Sequence, residues 1–225
     1  IKSIHGHDAF LIEYEQLSEF LGPLFKNPKT KMKKVNKIKI VKFGGKSMAN
    51  GRGLEHVLSI IRVKVQREEK FAVVASARGN ATDELLEILE LAKTGGDYHE
   101  KLEAFKKYQI EPDPSIDLEA EFSLLKKLYD GVNLLGDYSN KIRDRIIAQG
   151  ELLAVKMLAG LLQKEGIAAQ PVDSRKLIKT DASFGEAIPI QKISRENVIR
   201  HFKKNDHELQ IVTGFIASNL EDETT

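Results

Sequence analysis

A lysine, two glycines and a serine stand close together in Lys42-Phe43-Gly44-Gly45-Lys46-Ser47. The segment lies where an apolar run ends and a helical pattern is about to begin. Adjacent glycines permit a sharp turn and a close approach of backbone to a ligand. Backbone amides just ahead of a helix N-terminus favour an anion. An ammonium at Lys42 and a hydroxyl at Ser47 suit a phosphate. Taken alone, Gly-Gly after a strand is also an ordinary turn. The P-loop spacing is absent, because that motif needs a glycine where Ile40 stands. The G-x-G-x-x-G spacing of a dinucleotide site is absent as well.

A second polar cluster, Ser76 to Asp83, follows the apolar run Phe71–Ala75. Parallel strands of an open sheet put their C-terminal loops along one edge, so both clusters are expected to face one crevice. Ser76 and Thr82 offer hydroxyls suited to a carboxylate or phosphate, although Thr82 and Asp83 read equally well as helix caps. Gly150-Glu151 interrupts a long helical pattern. A mid-helix glycine costs about 1 kcal/mol relative to alanine, which points to close packing or a ligand there. Glu151, next to Leu152, Leu153 and Ala154, is placed to meet an ammonium or else lies exposed on a helix surface. His5 and His7 lack a third ligand for a metal. His56, His99, His201 and His207 form no ligand-like group, and no metal site is expected.

The elements that must carry these residues alternate. Strand-like runs cover Ile38–Phe43, Phe71–Ala75, Ile167–Val172 and Leu209–Thr213. Helical patterns run from about Leu54, from Asp83, through 97–133 with a break at Pro112-Asp113-Pro114, and over Ile142–Gln163. That order predicts an α/β fold, a three-layer sandwich around a mainly parallel sheet. The 225 residues are 41% hydrophobic and 30% charged, enough for a core and far from a disordered composition. The absence of cysteine excludes a disulfide scaffold and a thiol nucleophile, and fits a cytoplasmic setting. No uninterrupted apolar run approaches the ~18 residues of a membrane span, so no membrane partner is expected. The 35 basic and 33 acidic residues leave a net charge of +2. Seven lysines and no acid fall between Lys26 and Lys39. This reads as a solvated linker; it lacks the aromatics and arginines of a nucleic-acid site, and no nucleic acid is expected.

Five segments, KFGG at 42–45, SARGNATDEL at 76–85, GE at 150–151, VDSRKLIKTDASFGEA at 172–187 and VTGFIA at 212–217, occur in the order found in aspartate kinases of the amino acid kinase fold. The resemblance covers about residues 38–225, and the long helical segment near 97–135 is most similar to the bifunctional aspartate kinase–homoserine dehydrogenases. It implies phosphorylation of the β-carboxylate of L-aspartate by ATP with Mg2+, on the route to lysine, threonine and methionine. It assigns Lys42, Phe43, Gly44, Gly45 and Ser47 to the nucleotide phosphates, with Lys42 stabilising the transferring phosphoryl group. Ser76 and Thr82 would contact aspartate, and Glu151 would pair with its α-ammonium. Lys46 departs from the family, which usually has threonine there. The family's next glycine-rich segment and nucleotide-binding half are expected beyond Thr225, so the fold is expected to be incomplete at its C-terminus and the fragment inactive alone, with any homo-oligomer formed through the missing regions. Other acceptors of the same superfamily (glutamate, acetylglutamate, a nucleotide) and a non-catalytic module of that fold are the alternatives. SIHGHDAFLIE at 3–13 resembles the C-terminal end of homoserine O-acetyltransferases, whose triad base would match His7. The implied division is 1–25 as that tail, 26–37 as linker and 38–225 as the aspartate-binding part of the kinase domain.

Overall fold

The computed structural model describes residues 38–225. The expected helix and acetyltransferase-like tail of 1–25, His7 within it, and the lysine-rich linker lie outside the described residues. Strands β1 (Lys39–Phe43), β2 (Phe71–Ala75), β3 (Ala169–Val172) and β4 (Leu209–Thr213) form one sheet in the order β1-β2-β4-β3. Every neighbouring pair is parallel. Six α-helices connect them: α1 (Gly51–Gln66), α2 (Ala81–Lys93), α3 (His99–Ile110), α4 (Glu119–Leu135), α5 (Asn140–Lys164) and α6 (Gln191–Lys204).

Local chemistry sets the boundaries. Apolar spacing alone starts α1 at Leu54, but the helix begins at Gly51, because the Asn50 Oδ1 accepts the Gly53 N–H at 2.9 Å and caps it. Helix α2 begins at Ala81 after Asn80, without a side-chain cap. Thr82 and Asp83 therefore lie inside its first turn, and the reading of them as caps is corrected. Asp83 and Glu84 there oppose the positive end of the helix. Helix α6 gave no clear periodicity: Ile193, Val198, Ile199 and Phe202 are spread among charged residues.

Two cores meet at α5. Val73, Ala75 and Ile211 on one sheet face pack with Val57, Leu58 and Ile61 of α1 and with Val155, Leu158 and Leu162 of α5. Leu85 and Leu89 of α2, Phe105 of α3, Leu125 and Tyr129 of α4, and Ile146 and Leu153 of α5 form the other. Helix α5 is long and apolar enough to cross a membrane by length and composition, but 72% of its apolar window is buried within the protein. On the opposite sheet face, Val198 and Phe202 of α6 line a cavity of about 630 Å3 with Ile40, Ala72, Val74 and Val212. Helices thus flank both faces of the sheet.

Leu153 and Leu158 are each 1% exposed, one in each core. Leu153→Ala and Leu158→Ala are each expected to destabilise the fold by about 2–5 kcal/mol in urea denaturation. Because both cores hang on one helix, the two variants should each keep a single cooperative transition.

Candidate active site

The parallel register brings three loops side by side. Phe43 stands opposite Ala75, and Ala75 opposite Thr213, so Gly44, Ser76 and Gly214 leave the sheet together. Backbone bonds continue the ladder into the loops: Ser76 N–H to Phe43 O at 3.2 Å, Gly214 N–H to Ala75 O at 2.9 Å and Gly79 N–H to Gly45 O at 3.0 Å. Gly45 and Gly150 make this approach possible around one residue, Ala77. A Cβ on Gly45 would overlap the Ala77 carbonyl oxygen. One on Gly150 would stand 2.8 Å from the Ala77 Cβ, far inside contact distance.

The structure brings Lys42, Gly44, Gly45, Ser76 and the Glu151 carboxylate to this edge. Lys42 is half-buried at the end of β1. The segment after it, expected as a plain loop, winds into a short 3-10 helix over Gly45–Met48. No acceptor among the described residues takes the amides of Gly44 and Gly45, as expected where a helix starts. The Ser76 hydroxyl is buried and has no hydrogen-bond partner among the described residues. The Phe43 side chain faces the core and its carbonyl is taken by Ser76, so it adds backbone geometry rather than a ligand contact. Ser47 is exposed, and Thr82 is half-buried in the first turn of α2.

Glu151 is 7% exposed, which corrects its reading as a surface glutamate. Its Oε1 accepts the Ala77 N–H at 3.3 Å. Burial outweighs that bond and pushes the carboxyl up to about 7. Seven positions earlier on the same face of α5, buried Asp144 accepts the Gly185 N–H at 2.6 Å. Burial raises the Asp144 carboxyl too, against the Gly185 bond and the nearby Arg143. On the same stretch of helix, Ala148 and Leu152 pack on Ile216. One helix face therefore holds the loops after β2, β3 and β4.

Sequence reasoning gave Arg78 no role, although it sits inside one of the diagnostic segments. The side chain is 3% exposed. It donates to Met48 O at 3.0 Å, Ala49 O at 3.4 Å, Tyr108 O and Glu111 Oε2 at 2.9 Å, and it stacks 4.1 Å from the Tyr108 ring centroid. The Tyr108 hydroxyl donates to Ala49 O at 2.5 Å. The signal available beforehand was an arginine between apolar and small residues, with no acid beside it in sequence. Asp144 was missed for a similar reason: in sequence it is one charge among Arg143, Asp144 and Arg145 on a helix.

Among the described residues no three histidine, aspartate or glutamate side chains gather as metal ligands. The arrangement offers a cation, open amides, an orphan hydroxyl and a buried carboxylate. That set suits a ligand bearing phosphate or carboxylate at one end and an ammonium at the other.

The chain matches the amino acid kinase family over residues 37–224. It is 28% identical over 190 residues to the chloroplastic bifunctional aspartokinase/homoserine dehydrogenase 1 of Arabidopsis thaliana, covering 79% of this chain and 21% of that protein. It is 26% identical over 206 residues to the lysine-sensitive aspartokinase 3 of Escherichia coli, covering 85% of this chain and 43% of that one. The crystal structure of Escherichia coli aspartokinase III in complex with aspartate and ADP, the R-state, superposes with a TM-score of 0.74 at 25% identity, over 84% of this chain and 43% of that one. The chain thus spans less than half the length of each.

Two outcomes test the site's construction. Arg78→Met leaves the Met48 and Tyr108 carbonyls without their donor and is expected to cost about 1–3 kcal/mol for each buried carbonyl left unpaired, with faster proteolysis between 44 and 50. Glu151 binds its proton more tightly folded than unfolded, so the folded state is favoured below its unfolded value of ~4.3 and loses stability as pH rises to about 7. Denaturation midpoints should fall across that window in the wild type, and the fall should shrink in Glu151→Gln.

Proposed function

The chain belongs to the amino acid kinase family, and from this premise we propose that it supplies the aspartate-binding and phosphoryl-cradling part of an aspartate kinase. The reaction is transfer of the γ-phosphoryl group of ATP to the β-carboxylate of L-aspartate. The observation that carries this reading is the juxtaposition of the partnerless Ser76 hydroxyl and the buried Glu151 carboxyl, which holds the amide of the next residue, Ala77, at the edge occupied by Lys42. A buried carboxyl held near neutrality by desolvation gains from a ligand ammonium, which replaces the lost water. Ser76 supplies a donor for a carboxylate of the same ligand, and Thr82 stands in the next turn.

In this reading the β-carboxylate oxygen attacks the γ-phosphorus while the bond to the β,γ-bridging oxygen breaks. The attacking carboxylate is already ionised, so no general base is required. What the protein must supply is alignment and compensation of charge on the phosphoryl oxygens. Lys42 and the open amides of Gly44 and Gly45 do that, while Ser47 lies exposed on the following turn. Mg2+, the proposed companion of the nucleotide, would neutralise phosphate charge. The proposed setting is a cytoplasmic step of amino-acid biosynthesis in a multifunctional protein.

A hydroxylamine trap for β-aspartyl phosphate tests this, using the longest natural polypeptide that carries the chain. Hydroxamate is expected from ATP and L-aspartate. Lys42→Ala should lower kcat by about 10²–10³. Glu151→Gln should act mainly on the KM for aspartate, by at least about tenfold, the scale of one buried charge-assisted contact. Hydroxamate from glutamate or acetylglutamate instead would move the acceptor within the family. None from a folded protein would favour a non-catalytic module. Full activity in Lys42→Ala would keep the reaction and remove Lys42 from it.

A further inference from the structure

Phe215 combines two features that folding does not reward. Its φ is 57°, in a region that glycine enters freely and a bulky residue does not. The Ile216 N–H donates to Gly214 O at 2.8 Å, closing a three-residue turn around it. With positive φ at its centre, this is the rarer and more strained hand of γ-turn. The aromatic ring gains little from burial, since the residue is 66% exposed. Among the described residues Glu68 and Asp222 share positive φ, but both are polar.

The contact made by the ring explains what the strain holds in place. The Lys42 ammonium lies 5.5 Å from the Phe215 ring centroid. The bond from the Gly214 N–H to Ala75 O fixes the turn to β2, and β2 in turn pairs with the strand bearing Lys42. On the glycine loop, the position of a Cβ on Gly44 is 3.7 Å from the same ammonium. No carboxylate among the described residues pairs with Lys42. A carboxylate would hold a lysine well but would also cancel its charge. An aromatic ring attracts the cation through its quadrupole and leaves the full charge available to a phosphate.

We propose that Phe215 is a positioning residue for Lys42: the strained turn after β4 presents the ring as a wall that keeps the ammonium over the 44–47 loop and out of bulk solvent. The inference deepens the reading of Lys42 as the phosphate-facing cation, and rests on it. Strain kept at one residue of a site, where a relaxed residue would fit the backbone better, is the pattern expected when geometry serves a ligand.

The test separates the ring from the fold. Lysines are labelled by reductive 13C-methylation, and Lys42→Arg identifies the Lys42 signal. In the wild type and in Phe215→Tyr that signal should carry a ring-current shift away from the exposed lysines. In Phe215→Gly and Phe215→Leu it should rejoin them, while Phe215→Gly, freed of strain, melts no lower than the wild type. In the hydroxamate assay Phe215→Gly should lose about tenfold in kcat, the scale of a well-placed cation–π contact, with the KM for aspartate within about twofold; Phe215→Tyr should recover most of the loss. A Lys42 signal that is unmoved by loss of the ring overturns the proposal, as does full kcat in a folded Phe215→Gly. If the glycine variant does not fold, the leucine and tyrosine variants make the same comparison. If the wild type yields no hydroxamate, the functional reading fails, and the Lys42 signal alone decides whether Phe215 positions it.

Discussion

The loops of this edge are held in one arrangement by a single buried guanidinium. Arg78 leaves water almost completely, and its one carboxylate partner among the described residues, Glu111, is 64% exposed. A buried cation so weakly neutralised is tolerated only if its N–H groups are used. They are used on carbonyls from two places far apart in sequence: Met48 and Ala49 at the end of the glycine loop, and Tyr108 at the end of α3. The loop after β2 is thereby bound at once to the loop after β1 and to the helical layer. Tyr108 closes the triangle by donating to Ala49 and stacking on the guanidinium. The helices of 97–135 are therefore more than surface decoration, because one of them ends on the glycine loop after β1.

A second constraint is the smoothness of one helix face. Helix α5 reaches three loops with Asp144, Ala148, Glu151 and Leu152, and it comes close enough because residue 150 has no side chain. The loss of helix propensity at Gly150 is exchanged for a carboxylate placed directly beneath the Ala77 amide. Asp144 does for the 181–188 loop what Glu151 does for the 76–78 loop. That loop also has its own brace, since Asp181 accepts the N–H groups of Ser183 and Ile188 at 3.1 Å each.

Much of this was legible in the residues alone, and the rest was not, for definable reasons. Strand Phe71–Ala75 could be read to the residue, because a buried parallel strand is a short apolar run bounded by polar turns. The convergence of Lys42, Gly45 and Ser76 followed from parallel topology, since such strands all end at one edge. What stayed hidden were contacts made across long stretches of chain. Nothing near Arg78 in sequence announces Tyr108, and nothing near Glu151 announces Ala77. The start of α1 was misplaced because Asn50, a polar cap, outweighs apolar spacing. Helix α6 was overlooked because it buries little beyond Ser194 and carries a mostly charged surface.

The state of Glu151 has a further consequence for recognition. With its carboxyl pushed up to about 7, Glu151 carries a proton below that pH. If Glu151 pairs with a ligand ammonium, as proposed above, the arriving cation favours the ionised form and expels that proton into the buffer. Occupancy and proton release are then one equilibrium: apparent affinity for an amino-acid zwitterion climbs with pH until the carboxyl is ionised beforehand, and then levels off. The heat of binding inherits the ionisation enthalpy of whichever buffer receives the proton. A single desolvated side chain thus makes the site an exchanger, trading one cation for another.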